Sequence, residues 1–177
     1  MKYSTFIATS KDGYIADANG SVDFLDKIDP VQTQKEYWEY YGSIDVLIFG
    51  SKTYESILSF ELEKWPYEDK ICFVLTSNPD KYQPQKGIIF FDKGIEELTK
   101  NHMKDFKHAW IMGGSKVIND FIDYGLIEEM TIFETNDILN SGTALFENKK
   151  QLNKFILIEK QQYINIKSKK YIRAKVI

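Results

Sequence analysis

The chain has 177 residues, 43% of them hydrophobic and 28% charged, with a formal net charge of −3. That length suits one domain burying roughly 70% of its unfolded surface, and the acidic balance argues against nucleic-acid or anionic-membrane partners, which need a basic face. A single cysteine, Cys72, excludes an intrachain disulfide and a cysteine-based zinc site, and its place inside an apolar run predicts inert packing.

In chain order, Met1 and Lys2 lead into a strand-like run at residues 3–9, with neither an apolar leader nor any 18-residue apolar stretch in the sequence. The expectation is a cytoplasmic protein. A loop follows with two turn-forming pairs, Asp12-Gly13 and Asn19-Gly20. Asp29 and Pro30 supply an N-cap and a first-turn proline for a helix to about Tyr41. Apolar runs predict strands near 45–49, 71–76, 87–91, 108–112, 128–135, 154–164 and 167–176; amphipathic segments predict helices at 52–59, 93–104 and 115–123. This alternation implies one α/β domain over residues 1–177. Its central sheet is mostly parallel with helices on its faces, and the two strands after the last helix pair antiparallel at one end.

Three strand-to-turn junctions carry the chemistry: Val46 to Thr53, Phe73 to Pro79, and Trp110 to Lys116. In each, an apolar run ends in glycine, serine or threonine, and a helix pattern follows two of them. After Gly50 the backbone can approach a ligand closely, and the next helix offers unpaired N–H groups beside Ser51, Lys52 and Thr53, which together make an anion site. Gly113-Gly114-Ser115 repeats the arrangement, with Lys116 adding charge. Such a layout suits a phosphate-rich ligand lying across strand ends. The sequence has no G-x-G-x-x-G fingerprint, P-loop or G-x-S-x-G elbow. His102 and His108 sit on a polar helix end and at a strand start, where solvated or capping roles are expected and a catalytic triad or metal site is not.

Over nearly its whole length the chain resembles the dihydrofolate reductase-like fold, and is most similar to the reductase domain of the bacterial riboflavin-biosynthesis deaminase/reductase and its small stand-alone relatives. The matching pieces are residues 8–17 with 20–24, Gly50 to Ser56, Leu75-Thr76-Ser77, Gly113-Gly114-Ser115 and Gly125 to Glu129. The resemblance implies a three-layer fold and NADPH-dependent reduction of a pyrimidine- or pterin-like ring. Under it, the backbone around Ala8 and Ile15 holds the nicotinamide carboxamide, and the Asp12-to-Asp23 loop closes over the reacting rings. Gly50, Ser51, Lys52 and Thr53 with Gly113, Gly114, Ser115 and Lys116 hold the pyrophosphate, while Leu75, Thr76 and Ser77 meet the adenosine ribose and its 2′-phosphate. A strand ending in two hydroxyls rather than a carboxylate fits the 2′-phosphate form of the cofactor. Phe24, Gln34 and Met112 are the implied substrate contacts. A homodimer is implied too, and the apolar segments at 154–158 and 163–166 would suit a covered sheet edge.

Departures from the family are equally specific. The family commonly has arginine where this chain has Ser51, leaving Lys52 as a point charge for the 2′-phosphate. Counting back from Gly50 puts Gln34 where folate reductases carry an acid. Counting back from Phe146 puts Glu134 where they place a threonine facing the pteridine, so Glu134 becomes the candidate proton donor or pyrimidine-edge acceptor, with Asp23 as the second candidate. The chain lacks the zinc-deaminase signature, so a role in riboflavin synthesis requires a separate deaminase. A dihydrofolate reductase and a nucleotide-binding module without catalysis are the alternatives.

Overall fold

The computed structural model describes residues 1–28 and 30–174, without the side chains of Pro30, Gln32 and Lys149; the expected N-cap Asp29 and the end of the last expected strand lie outside the described residues. The elements are β1 (Lys2–Thr9), β2 (Tyr14–Ala16), α1 (Pro30–Ser43), β3 (Val46–Gly50), α2 (Ser51–Leu58), β4 (Ile71–Leu75), β5 (Ile88–Phe91), α3 (Gly94–Glu97), β6 (His108–Gly113), α4 (Ser115–Asp123), β7 (Ile127–Thr135), β8 (Thr143–Ala144), β9 (Phe155–Gln162) and β10 (Ile166–Arg173). The helix expected at 93–104 is α3 followed by a π-helical turn at Leu98–His102. Both short strands, β2 and β8, fall where the sequence reads as loop, and they pair only with each other.

Eight strands form one sheet in the order β5-β4-β3-β6-β1-β7-β10-β9. The first six of these run parallel, and β10 pairs antiparallel with both β7 and β9. Buried on both faces, β3 reads as an unbroken apolar run, Val46-Leu47-Ile48-Phe49. One face packs α3 and α4 through Val46, Ile48, Ile111, Met130, Phe121 and Ile122; the other packs α1 and α2 through Leu47, Phe49, Trp110, Tyr41 and Tyr54. Cys72 is fully buried in this second layer, and burial pushes its thiol pKa up to about 12, as inert packing requires.

Leaving β3, the chain runs outward to β4 and β5, whereas leaving β6 it crosses β1 to reach β7. The connections from neighbouring strands therefore part in opposite directions, and α2 and α4 lie on opposite faces. In a parallel sheet such a switch point opens a crevice at the strand ends, where ligands bind.

Candidate functional site

The β3–α2 and β6–α4 junctions meet at that switch point. A Cβ on Gly50 would lie 3.3 Å from Val117 Cγ2 and 3.9 Å from the Gly114 nitrogen, so the missing side chain lets the start of α4 approach β3. The Thr53 hydroxyl stands 3.6 and 3.5 Å from where Gly113 and Gly114 would carry Cβ atoms. Gly113 has φ +152, which favours glycine, and the Gly113–Gly114 peptide is cis. Two helix N-termini, the first turns of α2 and α4, thus converge with glycine at their mouths, and their unpaired N–H groups and dipoles attract an anion. Gly50 pairs with Leu75 across β3 and β4, which sets Thr76 and Ser77 beside Ser51 and Lys52. Lys52 is exposed. Lys116 pairs with Asp120 on its own helix at 2.8 Å, so its charge is already partly engaged.

Beside this crevice the loop after β1 is tied down. The Asp12 carboxylate accepts from Ser10 Oγ at 2.6 Å and from the Leu139 and Asn140 amides at 3.2 and 2.8 Å. Desolvation acts to raise the Asp12 pKa, yet the hydrogen bonds from Ser10, Asn140 and Leu139 together hold it below the ordinary carboxylate range. Lys11 N donates to Asp137 O at 2.7 Å, and Leu145 N to Gly13 O at 2.9 Å. Ala8 and Ile15 are half-buried on either side of this loop.

The expected substrate contacts divide. Phe24 is buried on the 3-10 turn Asp23–Lys27, and Met112 follows Trp110 on the α1-side face of β6. Gln34 is exposed on α1, whereas its neighbour Thr33 is half-buried, and the face of α1 that packs on the sheet carries Tyr37, Tyr40 and Tyr41. Asp23 is exposed, its amide bonded to Ser21 Oγ.

Glu134 points away from α1. Phe133 meets Phe6 with ring centroids 4.8 Å apart, and Ser168, its β10 neighbour, donates to Glu36 of α1, so Phe133 faces α1. Alternation turns Glu134 to the opposite face, where Lys169 pairs with it. The count from Phe146 is therefore one residue out of phase, and Thr135 shares the face that was expected of Glu134.

His108 is not solvated: it is 8% exposed, its Nε2 lies 2.7 Å from Ser4 Oγ, and Ser4 also bonds Tyr40 at 2.9 Å. Burial, followed by the Lys2 charge, lowers its pKa. His108 and Tyr40 line a cavity of about 610 Å³ with Lys2, Glu36, Glu129 and Thr131. The cavity runs along the α1 face of the sheet, from Lys2, His108 and Glu129 at or near the starts of β1, β6 and β7 to Ser168, whose β7 partner is Phe133.

Sequence reasoning missed Asn119 and Leu145. Asn119 sits on the apolar stripe of α4 among Val117, Ile118, Phe121 and Ile122. A lone amide on such a stripe was the signal available.

The chain is 33% identical over 171 residues, 96% of each chain, to YwjB of Bacillus subtilis (strain 168), an uncharacterized protein. It is 27% identical over 157 residues to a second uncharacterized protein of that organism, YyaP, covering 82% of this chain and 80% of YyaP. No protein-family model matches. Among solved structures, a protein from Shewanella sp. PV-4 provisionally named for riboflavin biosynthesis superposes with a TM-score of 0.82 at 27% identity, covering 99% of this chain and 100% of that one. Enterococcus faecalis dihydrofolate reductase complexed with NADP(H) gives 0.73 at 18% identity, over 98% and 97% of the two chains. The deaminase/5-amino-6-(5-phosphoribosylamino)uracil reductase of Thermotoga maritima gives 0.75 at 16% identity, over 98% of this chain and 56% of that one.

Proposed function

Because the chain belongs to the family of Bacillus subtilis YwjB and has the dihydrofolate reductase-like fold, we propose that it is an NADPH-dependent reductase of a pyrimidine- or pterin-like substrate, similar to 5-amino-6-(5-phosphoribosylamino)uracil reductase. The observation that carries this reading is the convergence of Gly50–Thr53 and Gly113–Ser115 at the switch point. The residues fit a dinucleotide: the glycine-mouthed junctions accept its pyrophosphate, Lys52 with Thr76 and Ser77 stands by the 2′-phosphate, and the backbone at Ala8 and Ile15 takes the carboxamide.

NADPH supplies the hydride. The protein's part is to hold the two rings in close, oriented approach and keep water out. Among the described residues, the first turn of α1 carries no carboxylate, and Glu36, in the second turn, is engaged by Tyr163 and Ser168. An ionic grip on a pteridine is thus missing there, which favours a neutral, carbonyl-bearing pyrimidine, with water as proton donor. The test is NADPH oxidation measured against ribosylamino-pyrimidine, dihydrofolate and small carbonyl compounds. Turnover of the first supports the reading; dihydrofolate turnover on the order of 10 per second makes it a folate reductase, and stoichiometric binding without turnover of any makes it a nucleotide-binding module.

A homodimer belongs to the same proposal. The edge strand β9 exposes Ile156, Leu157 and Ile158 in succession, each close to half exposed, with β10 its sole strand neighbour among the described residues. A twofold antiparallel pairing would oppose this apolar block to itself. Light scattering should return twice the 20.7 kDa chain mass; a monomer at micromolar concentration contradicts the dimer.

A further inference from the structure

Leu145 is bonded through both its backbone N–H and its C=O, to different parts of the proposed cofactor site. Its N–H donates to Gly13 O at 2.9 Å, in the loop after β1. Its carbonyl accepts from Asn119 Nδ2 at 2.8 Å and from Ser115 Oγ at 3.1 Å, at the start of α4. Asn119 makes this junction one unit: the same amide nitrogen donates to Ser115 O at 2.8 Å and lies 3.2 Å from Ser115 Oγ, while its Oδ1 accepts from Glu147 N at 3.4 Å. Asn119 is 1% exposed.

We infer that Asn119 is a positioning residue that couples the grip on the cofactor pyrophosphate to the seating of the Asp12 loop, acting through Leu145. The inference rests on the cofactor reading above. Ser115 is the first residue of α4, whose N–H groups face the crevice, so anything that fixes Ser115 also fixes the carbonyl and hydroxyl to which Asn119 is bonded. Leu145 follows β8, and β8 pairs with β2 in the Asp12 loop, at Tyr14↔Ala144 and Ala16↔Thr143. A shift of Leu145 therefore moves β8 and β2 together. The linkage is reciprocal: a ligand that orders the start of α4 lowers the cost of ordering the loop, and the reverse. An amide suits the position because it donates to two carbonyls and accepts from one backbone N–H at once, and a buried amide deprived of these partners is costly.

The test compares backbone amide exchange in the parent and Asn119→Ala, without and with NADPH. Without cofactor, the amides of Lys11, Gly13, Tyr14 and Leu145 should exchange at least about tenfold faster in the variant, on the order of one lost buried hydrogen bond, while core amides of β3 and β6 keep the parent's protection. With NADPH, those loop amides should gain protection in the parent and lose most of that gain in the variant, whose dissociation constant rises. Ser115→Ala, which removes one of the two donors to Leu145, should give a smaller change in the same direction. Unchanged loop exchange in cofactor-free Asn119→Ala, or a uniform rise that includes the β3 and β6 amides, overturns the coupling. If the parent does not bind NADPH, the cofactor reading fails by itself, and the cofactor-free comparison still decides whether Asn119 holds the loop.

Discussion

Lys52 follows Ser51 in the first turn of α2, and among the described residues it is the exposed cation at the start of that helix. Lys52→Ala should narrow the preference for NADPH over NADH by about tenfold, the order of one charge-assisted hydrogen bond, as measured by fluorescence titration with both cofactors. Glu134 makes the opposite case. Facing away from α1 and paired with Lys169, it is remote from the expected proton transfer, so Glu134→Gln should leave turnover within about twofold of the parent, whereas loss of a working general acid costs roughly 10²–10⁴-fold. His108 belongs to stability. Its folded pKa lies below the ordinary value because it is buried, so below about 6.5 the unfolded chain takes up the proton first. The contribution is complete above that pH and is lost as pH falls towards the folded value. Urea midpoints measured between pH 8 and 5 should therefore fall less steeply in His108→Gln than in the parent.

Strands and helices were legible wherever an apolar run or stripe was long enough to be buried by itself, as at Val46–Gly50 and Ser115–Asp123. The pair β2 and β8 was not, because three residues and two residues carry no period and their partner is more than a hundred residues away. The junction glycines were visible because their chemistry is local. Glu134 was misplaced because counting fixes position along a strand but not phase, and one residue reverses the face. Gly142 shows how tightly the β2–β8 pair is built: φ is +142 and a Cβ there would lie 2.1 Å from Ala16 O. Gly142→Ala should force the two segments apart, lowering stability by about 1–3 kcal/mol in chemical denaturation and weakening NADPH binding as the Asp12 loop loses its partner.

At the scale of the molecule, the parallel half of the sheet supplies the crevice, and the antiparallel end supplies β9, which the proposed dimer would cover. None of the described helices is long and apolar enough to cross a membrane, and the chain has the fold of reductases that use a nicotinamide cofactor. The crevice between Gly50 and Gly113 is the proposed seat of that cofactor. Calorimetric titration of NADPH into the parent protein should show saturable binding of one equivalent per chain, tighter than for NADH. Absence of saturable heat up to about 1 mM NADPH, an affinity weaker than about −4 kcal/mol, or equal affinity for the two cofactors, would contradict it.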